Sequence, residues 1–248
     1  MRELSNRTAI VVGASRGLGR GIATALAEAG ATVVAVARGR EALAELAEGA
    51  DRIQPEAADA TDPTAAGTLI DRYQPNVLVL VAGATPHLRP LQHHTWETFS
   101  VNWETDVRIA FHWLREALLK PLRPGSRVVV ISSGAAMAGS PVSGGYAGAK
   151  ATQRFITGYA QEEAQRAGLD ITFTAVLPRI TPTTELGRPA VRAYAERYGL
   201  TEDQYIEQLG PLVTPEVAGA AVVELVESDT ADIALAYLLT GAGLQKLR

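Results

Sequence analysis

The 248-residue chain contains no cysteine. Disulfides, thiolate metal sites, iron–sulfur clusters and thiol nucleophiles are therefore excluded. Lysine is scarce: only Lys120, Lys150 and Lys246 occur among the 23 basic residues. Basic runs are missing altogether, and the net charge is −4. Nucleic acid and anionic membrane surfaces, which are met by clustered Lys and Arg, are not expected partners. No apolar run approaches the ~18 residues that a membrane-spanning helix needs. The short apolar run Thr8–Val12 leads into glycines and not into a cleavage site, so it does not read as a signal peptide. The chain reads as a soluble, cytoplasmic protein. A metal is not expected, because adjacent His93 and His94 cannot converge on one ion without other ligands.

What is present is an alternation. Near-continuous apolar runs at Ala9–Val12, Thr32–Val36, Val77–Val81, Arg127–Ile131, Ile171–Val176 and Ile233–Leu239 suit strands buried on both faces. A weaker strand is expected at Arg52–Ala58. Helical stretches lie between them, at Leu18–Ala29, Arg40–Ala47, Pro63–Tyr73, Trp103–Leu119, Tyr146–Ala167 and Pro215–Glu227. Strand, helix, strand repeated along a chain predicts an α/β, doubly wound fold with a parallel sheet. No linker divides the chain, so residues 1–248 read as one domain. The irregular stretch 178–215, with a helix expected from Ala190 to Leu209, reads as an inserted substrate-binding loop or lid.

The first strand runs into Gly13-Ala14-Ser15-Arg16-Gly17-Leu18-Gly19 and then a helix. Glycine permits a sharp turn and a close approach that a Cβ would block. The helix N-terminus offers unpaired N–H groups to a phosphate. This placement marks a dinucleotide site. The second strand ends Val36-Ala37-Arg38, with no acid before Glu41. An acid there would bond the ribose 2′-hydroxyl of NAD, whereas an arginine clamps the 2′-phosphate of NADP. Arg38, with Arg16, therefore points to NADP(H), with NAD(H) as the lesser alternative.

Tyr146 and Lys150 stand at i and i+4, on one face of a helix. A cation beside a phenol favours its phenolate and makes tyrosine usable as a proton donor or acceptor. Ser133, thirteen residues earlier at a strand's end, is placed to hydrogen-bond a developing oxyanion.

The set Gly13, Gly17, Gly19, Asn102, Ser133, Tyr146 and Lys150 resembles the classical short-chain dehydrogenase/reductase family, from about Thr8 to Thr240. The resemblance implies a Rossmann-type three-layer sandwich with about seven mostly parallel strands. It implies an oxidoreductase that interconverts a carbonyl and a secondary alcohol, with Tyr146 as acid and base. Lys150 would bond the nicotinamide ribose, Ser133 would hold the substrate oxygen, and Asn102 would hold a water that links the lysine to solvent. Asp59, beside Ala60, would receive the adenine amino group. Ala82 and Gly83 would contact the adenine ribose. Pro178, Ile180 and Thr183 would line the nicotinamide. Homotetramers or homodimers are common in the family, and Phe111 and Trp113 would be subunit contacts.

Three departures stand out. Thr240-Gly241-Ala242-Gly243 stands where the family often carries Val-Asp-Gly-Gly, which makes the oligomer less secure than the fold. Leu80-Val81 replaces the family's paired asparagines before Ala-Gly, so apolar packing must replace their side-chain hydrogen bonds. Arg179 replaces the glycine after Pro178, where it would touch a substrate or diphosphate anion or else face solvent. Ala135, Met137, Val142 and Leu186 are expected to wall the substrate site, and Tyr194, Tyr198 and Tyr205 to form one face of the lid. A hydrophobic ketone or secondary alcohol fits these walls. The alternative is a sensor or scaffold that binds the nucleotide without turnover. The intact Asn102, Ser133, Tyr146 and Lys150 weigh against it.

Overall fold

The apolar runs become the strands of a single eight-stranded sheet in the computed structural model, which describes residues 4–247. The strands are β1 (Thr8–Val12), β2 (Thr32–Ala37), β3 (Ile53–Ala57), β4 (Val77–Leu80), β5 (Ser126–Ile131), β6 (Ile171–Pro178), β7 (Ala236–Thr240) and β8 (Gly243–Lys246). Their order is β3-β2-β1-β4-β5-β6-β7-β8. All neighbours pair parallel except β7 and β8, which form an antiparallel hairpin. The sheet thus has eight strands, not about seven. β8 has no long apolar run because it is an edge strand, and Gln245 and Lys246 point to solvent.

Before the π-helical segment the helices are α1 (Gly17–Glu28), α2 (Arg40–Ala47), α3 (Pro63–Tyr73) and α4 (Trp96–Asn102). A π-helical turn follows at Trp103–Val107, continued by α5 (Arg108–Leu119). Then come α6 (Ala135–Ala138), α7 (Tyr146–Arg166), α8 (Gly187–Tyr198), α9 (Glu202–Gln208) and α10 (Pro215–Glu227).

Alternation along each strand sends side chains to two cores. Ala9 and Val11 of β1 meet Ile22 and Leu26 of α1, Leu43 of α2 and Val222 and Leu225 of α10. Ile10 and Val12 meet the other layer, which includes Ile70 of α3, Ile109 and Trp113 of α5 and Ala160 of α7. Helix, sheet and helix form the three layers of a Rossmann-type fold. Leu80 is fully inside the second core, so apolar packing stands where the family carries asparagine.

Two helix expectations are corrected. The stretch expected as one helix from Trp103 begins at Trp96, where Thr95 accepts the Thr98 N–H in a capping box. It also contains the π turn. The lid helix expected over Ala190–Leu209 is two helices. Gly199 ends α8 in the left-handed conformation, and Thr201 with Gln204 caps α9. Trp113 is fully buried and donates its Nε1–H to the Ala60 carbonyl at 3.1 Å. It is a core residue and not a subunit contact, whereas Phe111 is exposed. Among the described residues no helix is long and apolar enough to cross a membrane.

Candidate active site

Strand order reverses between β1 and β4, and a crevice opens beyond their carboxyl ends. The glycine turn follows β1 and lines one side. Its geometry requires glycine. Gly13 has φ +95°, and a Cβ on it would lie 2.5 Å from the Ala82 nitrogen. A Cβ on Gly19 would lie 2.0 Å from the Gly13 carbonyl oxygen. The turn therefore packs backbone on backbone.

The cleft measures about 1250 Å³ and runs without a break from Arg38 to Tyr194. That exceeds the ~300–1,000 Å³ of an ordinary small-ligand pocket, so a dinucleotide and a second molecule fit together. It brings together Gly13, Ser15, Arg16, Gly17, Leu18, Gly19, Arg38, Asp59, Ala60, Ala82, Gly83, Ser133, Ala135, Tyr146, Lys150, Pro178, Arg179, Ile180 and Leu186. Three expected residues are not on its wall. Thr183 is exposed, and Thr181 and Thr184 line the cleft instead. Thr181 Oγ1 lies 2.9 Å from Thr184 Oγ1, and the Thr184 hydroxyl accepts the Gly187 N–H. That four-residue turn buries both of its end residues and turns Thr183 outward. Asn102 is buried behind the wall, where its Nδ2 donates to the Ala84 carbonyl at 2.8 Å and to Asp106 Oδ1 at 3.2 Å. Val142, expected on the substrate wall, is in the interior, while Met137 and Ala135 line the cleft.

At the Arg38 end of the cleft, Asp59 Oδ1 accepts both the backbone N–H and the hydroxyl of Thr61. These bonds, and then the charge of Arg38, hold the Asp59 carboxyl below the usual carboxylate range. Arg38 follows β2 directly and is exposed. Arg16 reaches across the cleft mouth to an ion pair with Glu185, a residue the sequence did not single out. Both side chains are largely exposed, so the pair adds little stability.

At the other end, the carboxyl terminus of β5 and the start of α7 meet. Ser133 Oγ accepts the Ala135 N–H at 3.2 Å, which leaves its own proton to donate elsewhere. Lys150 Nζ lies 5.6 Å from the centre of the Tyr146 ring. Ser132 fixes the helix by donating to the Lys150 carbonyl at 2.8 Å. Lys150 is buried, and its ammonium faces Asp106 Oδ2 at 3.1 Å, Gln153 Oε1 at 3.0 Å and the Ile131 carbonyl at 3.4 Å. Burial lowers the Lys150 pKa, but the charges of Asp106 and Tyr146 more than offset it. The ammonium is held above the ordinary lysine value. Asp106 and Gln153 were not singled out in the sequence. Their signal was helical spacing: Asp106 is four residues after Asn102, and Gln153 three after Lys150.

Helices α8 and α9 line this end. Tyr194 Oη and Ser140 Oγ are 2.5 Å apart, joining α8 to the loop after α6. Tyr194 and Tyr205 stack at 5.8 Å and 6° and both line the cleft, while Tyr198 stacks outside it and is exposed. Burial, then the neighbouring Tyr194 and Tyr198, push the Tyr205 phenol up to about 12. Its face toward the cleft is therefore an uncharged aromatic surface near neutral pH.

Against known proteins, a family profile described as short chain dehydrogenase matches residues 7–194. Versicolorin reductase 1 of Aspergillus parasiticus is 30% identical over 254 aligned residues, covering 93% of this chain and 92% of that one. The hydroxynaphthalene reductase-like protein Arp2 of Metarhizium majus is 32% identical over 188 residues, covering 71% of this chain and 69% of that protein. Among solved structures, an actinorhodin polyketide ketoreductase variant crystallised with NADPH superposes with a TM-score of 0.82 at 23% identity, over 95% of this chain and 96% of that one.

Proposed function

The chain belongs to the short-chain dehydrogenase/reductase family, and on that premise we propose that it is an NADP(H)-dependent oxidoreductase that interconverts a carbonyl and a secondary alcohol. One observation carries the reading. A single cleft joins a phosphate-cradling glycine turn to Ser133, Tyr146 and Lys150. A sensor needs the first half of that cleft and has no use for the second.

The glycine turn fits a dinucleotide because its backbone fills the space that Cβ atoms would take, leaving N–H groups of α1 for the pyrophosphate. Arg38 and Arg16 would take the 2′-phosphate, with Arg16 released from Glu185 to do so. Asp59, Ala60, Ala82 and Gly83 would hold the adenosine, and Pro178, Ile180, Thr181 and Thr184 the nicotinamide end. When bound, the nicotinamide supplies or accepts the hydride. Ser133 donates its proton as a hydrogen bond to the substrate oxygen. Tyr146 Oη gives a proton to that oxygen in reduction and takes it back in oxidation. The Lys150 charge stabilises the negative charge that develops on the phenol oxygen as the proton leaves.

Ala135, Met137, Leu186, Tyr194 and Tyr205 make the substrate wall mainly apolar and aromatic. We read the substrate as a hydrophobic, ring-bearing ketone or its alcohol. The similarity to a hydroxynaphthalene reductase-like protein and a versicolorin reductase supports that reading. Arg179 lines the same wall and would favour a substrate with an anionic or hydroxyl-rich edge.

The test follows nicotinamide absorbance with NADPH and with NADH against cyclic, aromatic and acyl carbonyl compounds. Turnover that prefers NADPH is expected. Tight NADPH binding with no turnover across the panel would leave the sensor reading standing. Arg38→Ala is expected to weaken NADPH, but not NADH, by about 10–100-fold, as loss of one charge-assisted contact implies. Equal loss for both cofactors would remove Arg38 from the 2′-phosphate.

A further inference from the structure

The π-helical turn Trp103–Val107 carries one side chain into the interior: Asp106, 1% exposed. A buried carboxylate is costly unless it is paired. Here one oxygen is hydrogen-bonded and the other is met by a cation. Asp106 Oδ1 accepts the Ala84 N–H at 2.8 Å and the Asn102 Nδ2–H at 3.2 Å. Oδ2 faces Lys150 Nζ at 3.1 Å. The strand end after β4 is shaped around it: a Cβ on Gly83 would lie 2.6 Å from Oδ2. Gln153 completes the set. Its Nε2 donates to the Asp106 backbone carbonyl at 2.9 Å, which turns its Oε1 toward Lys150 Nζ at 3.0 Å.

Two features make this arrangement more than packing. First, the acidic side chain and the expected catalytic lysine are both buried, so each is the condition for the other's charge. Second, the π turn is what aims Asp106 inward, and such turns are concentrated at functional sites. We propose that Asp106 is a positioning residue. It is the buried counter-ion that keeps Lys150 an ammonium and fixes its Nζ beside Tyr146. The assignment of a role in turnover rests on the reductase reading above. The ion pair itself does not.

Among the described residues no other carboxylate takes this part. On α7, Tyr146 also acts on Lys150, and Arg154 is one turn further on and partly exposed. On α4 and the π turn, Glu97 and Glu104 are exposed, and Glu104 pairs with Arg108 at the start of α5. On β5, Arg127 lies at the opposite end of the strand, bonded to Thr172 and Thr230. The adjoining parts of α6 and β6 carry no charged residue, and Arg179, just past β6, is exposed. The direction of the Lys150 shift agrees: burial lowers it, and the Asp106 charge is the largest effect that raises it.

Asp106→Asn tests this. The amide keeps one oxygen for the Ala84 and Asn102 donors and turns an N–H2 toward Nζ. Two donors then face each other, and Lys150 remains only by shedding a proton. Scarcity of lysine makes this visible. Protein labelled at the lysine ε-carbon gives three signals, and Lys150→Met assigns one. In the wild type the Lys150 signal is expected to stay in its ammonium position beyond the ordinary lysine value of about 10.4. In Asp106→Asn its titration is expected to fall by roughly two pH units or more, as burial without a partner dictates. An unchanged titration would overturn the proposal. Should the variant not fold, a wild-type Lys150 that titrates below the ordinary value would overturn it equally.

In turnover, Asp106→Asn is expected to lower kcat about 100-fold with KM for the carbonyl within about threefold, the scale of a lost acid–base element. On a Lys150→Met background it is expected to add less than about twofold, because residues acting through one another are not additive. A full second loss would remove Lys150 as the link. If the wild type turns over no carbonyl at all, the reductase reading fails, while the lysine titration still decides the ion pair.

Discussion

Tyr146→Phe is expected to lower kcat by about 10²–10⁴-fold in both directions, the range that a positioned proton donor contributes. NADPH affinity is expected to stay within about threefold, because phenylalanine keeps the ring and its apolar contacts. Tyr146 opens α7, half-buried, with its side chain on the cleft. Its backbone N–H is already taken by the Ser143 carbonyl at 3.1 Å, so the substitution leaves the helix start intact. Only the phenol oxygen is removed. Stopped turnover with intact cofactor binding would separate proton transfer from binding. Rates equal to the parent would mean that another group, or water, supplies the proton. Ser133→Ala offers a graded comparison, since it removes a hydrogen bond to the substrate oxygen and not the proton source. Its loss is expected to be smaller than that of Tyr146→Phe. The reverse order would exchange the two roles.

How far the sequence carried depended on what made each element form. Strands β1, β2, β4, β5 and β6 are buried on both faces, so their apolar runs were almost unbroken and easily read. Helices α2, α3 and α10 matched their expected ends, and local chemistry sets the starts of α3 and α10. Asp62 caps α3 ahead of Pro63, and Thr214 caps α10 ahead of Pro215. β8 is short, antiparallel and half-exposed, so it left no such run. The break between α8 and α9 did have a local signal in Gly199 and the Thr201–Gln204 box. The three tyrosines masked it, because Tyr194, Tyr198 and Tyr205 fall near helical spacing across the break.

The site divides along the same line. Residues fixed by the local turn or helix that carries them, such as Gly13, Gly19, Tyr146 and Lys150, were legible from spacing alone. Residues whose direction depends on tertiary packing were not. Thr183 was chosen where the loop turns Thr181 and Thr184 inward. Asp106 was not singled out, because a π turn shifts the register of everything after it and leaves no mark on periodicity. Asn102 kept its place beside the lysine's partners but through Asp106, not on the cleft wall. The region where the chain departs from the family at Leu80-Val81 is also where Gly83 and Ala84 close around that acid.

The glycine turn gives the second large expectation, and the three glycines around it grade the effect. Gly19→Ala places a Cβ 2.0 Å from the Gly13 carbonyl oxygen, and the nearest atoms are all backbone. No side chain can rotate away, so the turn must open. Loss of NADPH affinity by more than about 100-fold is expected, since the N–H groups at the start of α1 would leave their common aim. The melting temperature is expected to fall by about 5–10 °C, following a strain of roughly 1–3 kcal/mol in a chain of this size. Gly17→Ala is a different case. Its Cβ would meet only the Thr184 methyl at 3.7 Å, an ordinary contact, but its φ of +54° strains any side chain. A stability loss of about 1 kcal/mol is expected there, with binding weakened less than in Gly19→Ala. Gly39→Ala has φ −80° and nothing within 4 Å of its Cβ, so stability and binding should not move. Fluorescence titration with NADPH and thermal melting of the three variants check this order. If Gly19→Ala binds NADPH as the parent does, the turn after β1 is a structural hinge and the phosphate site lies elsewhere. If it melts lower but binds with full affinity, backbone closeness serves the packing of α1 on the sheet and not the cofactor.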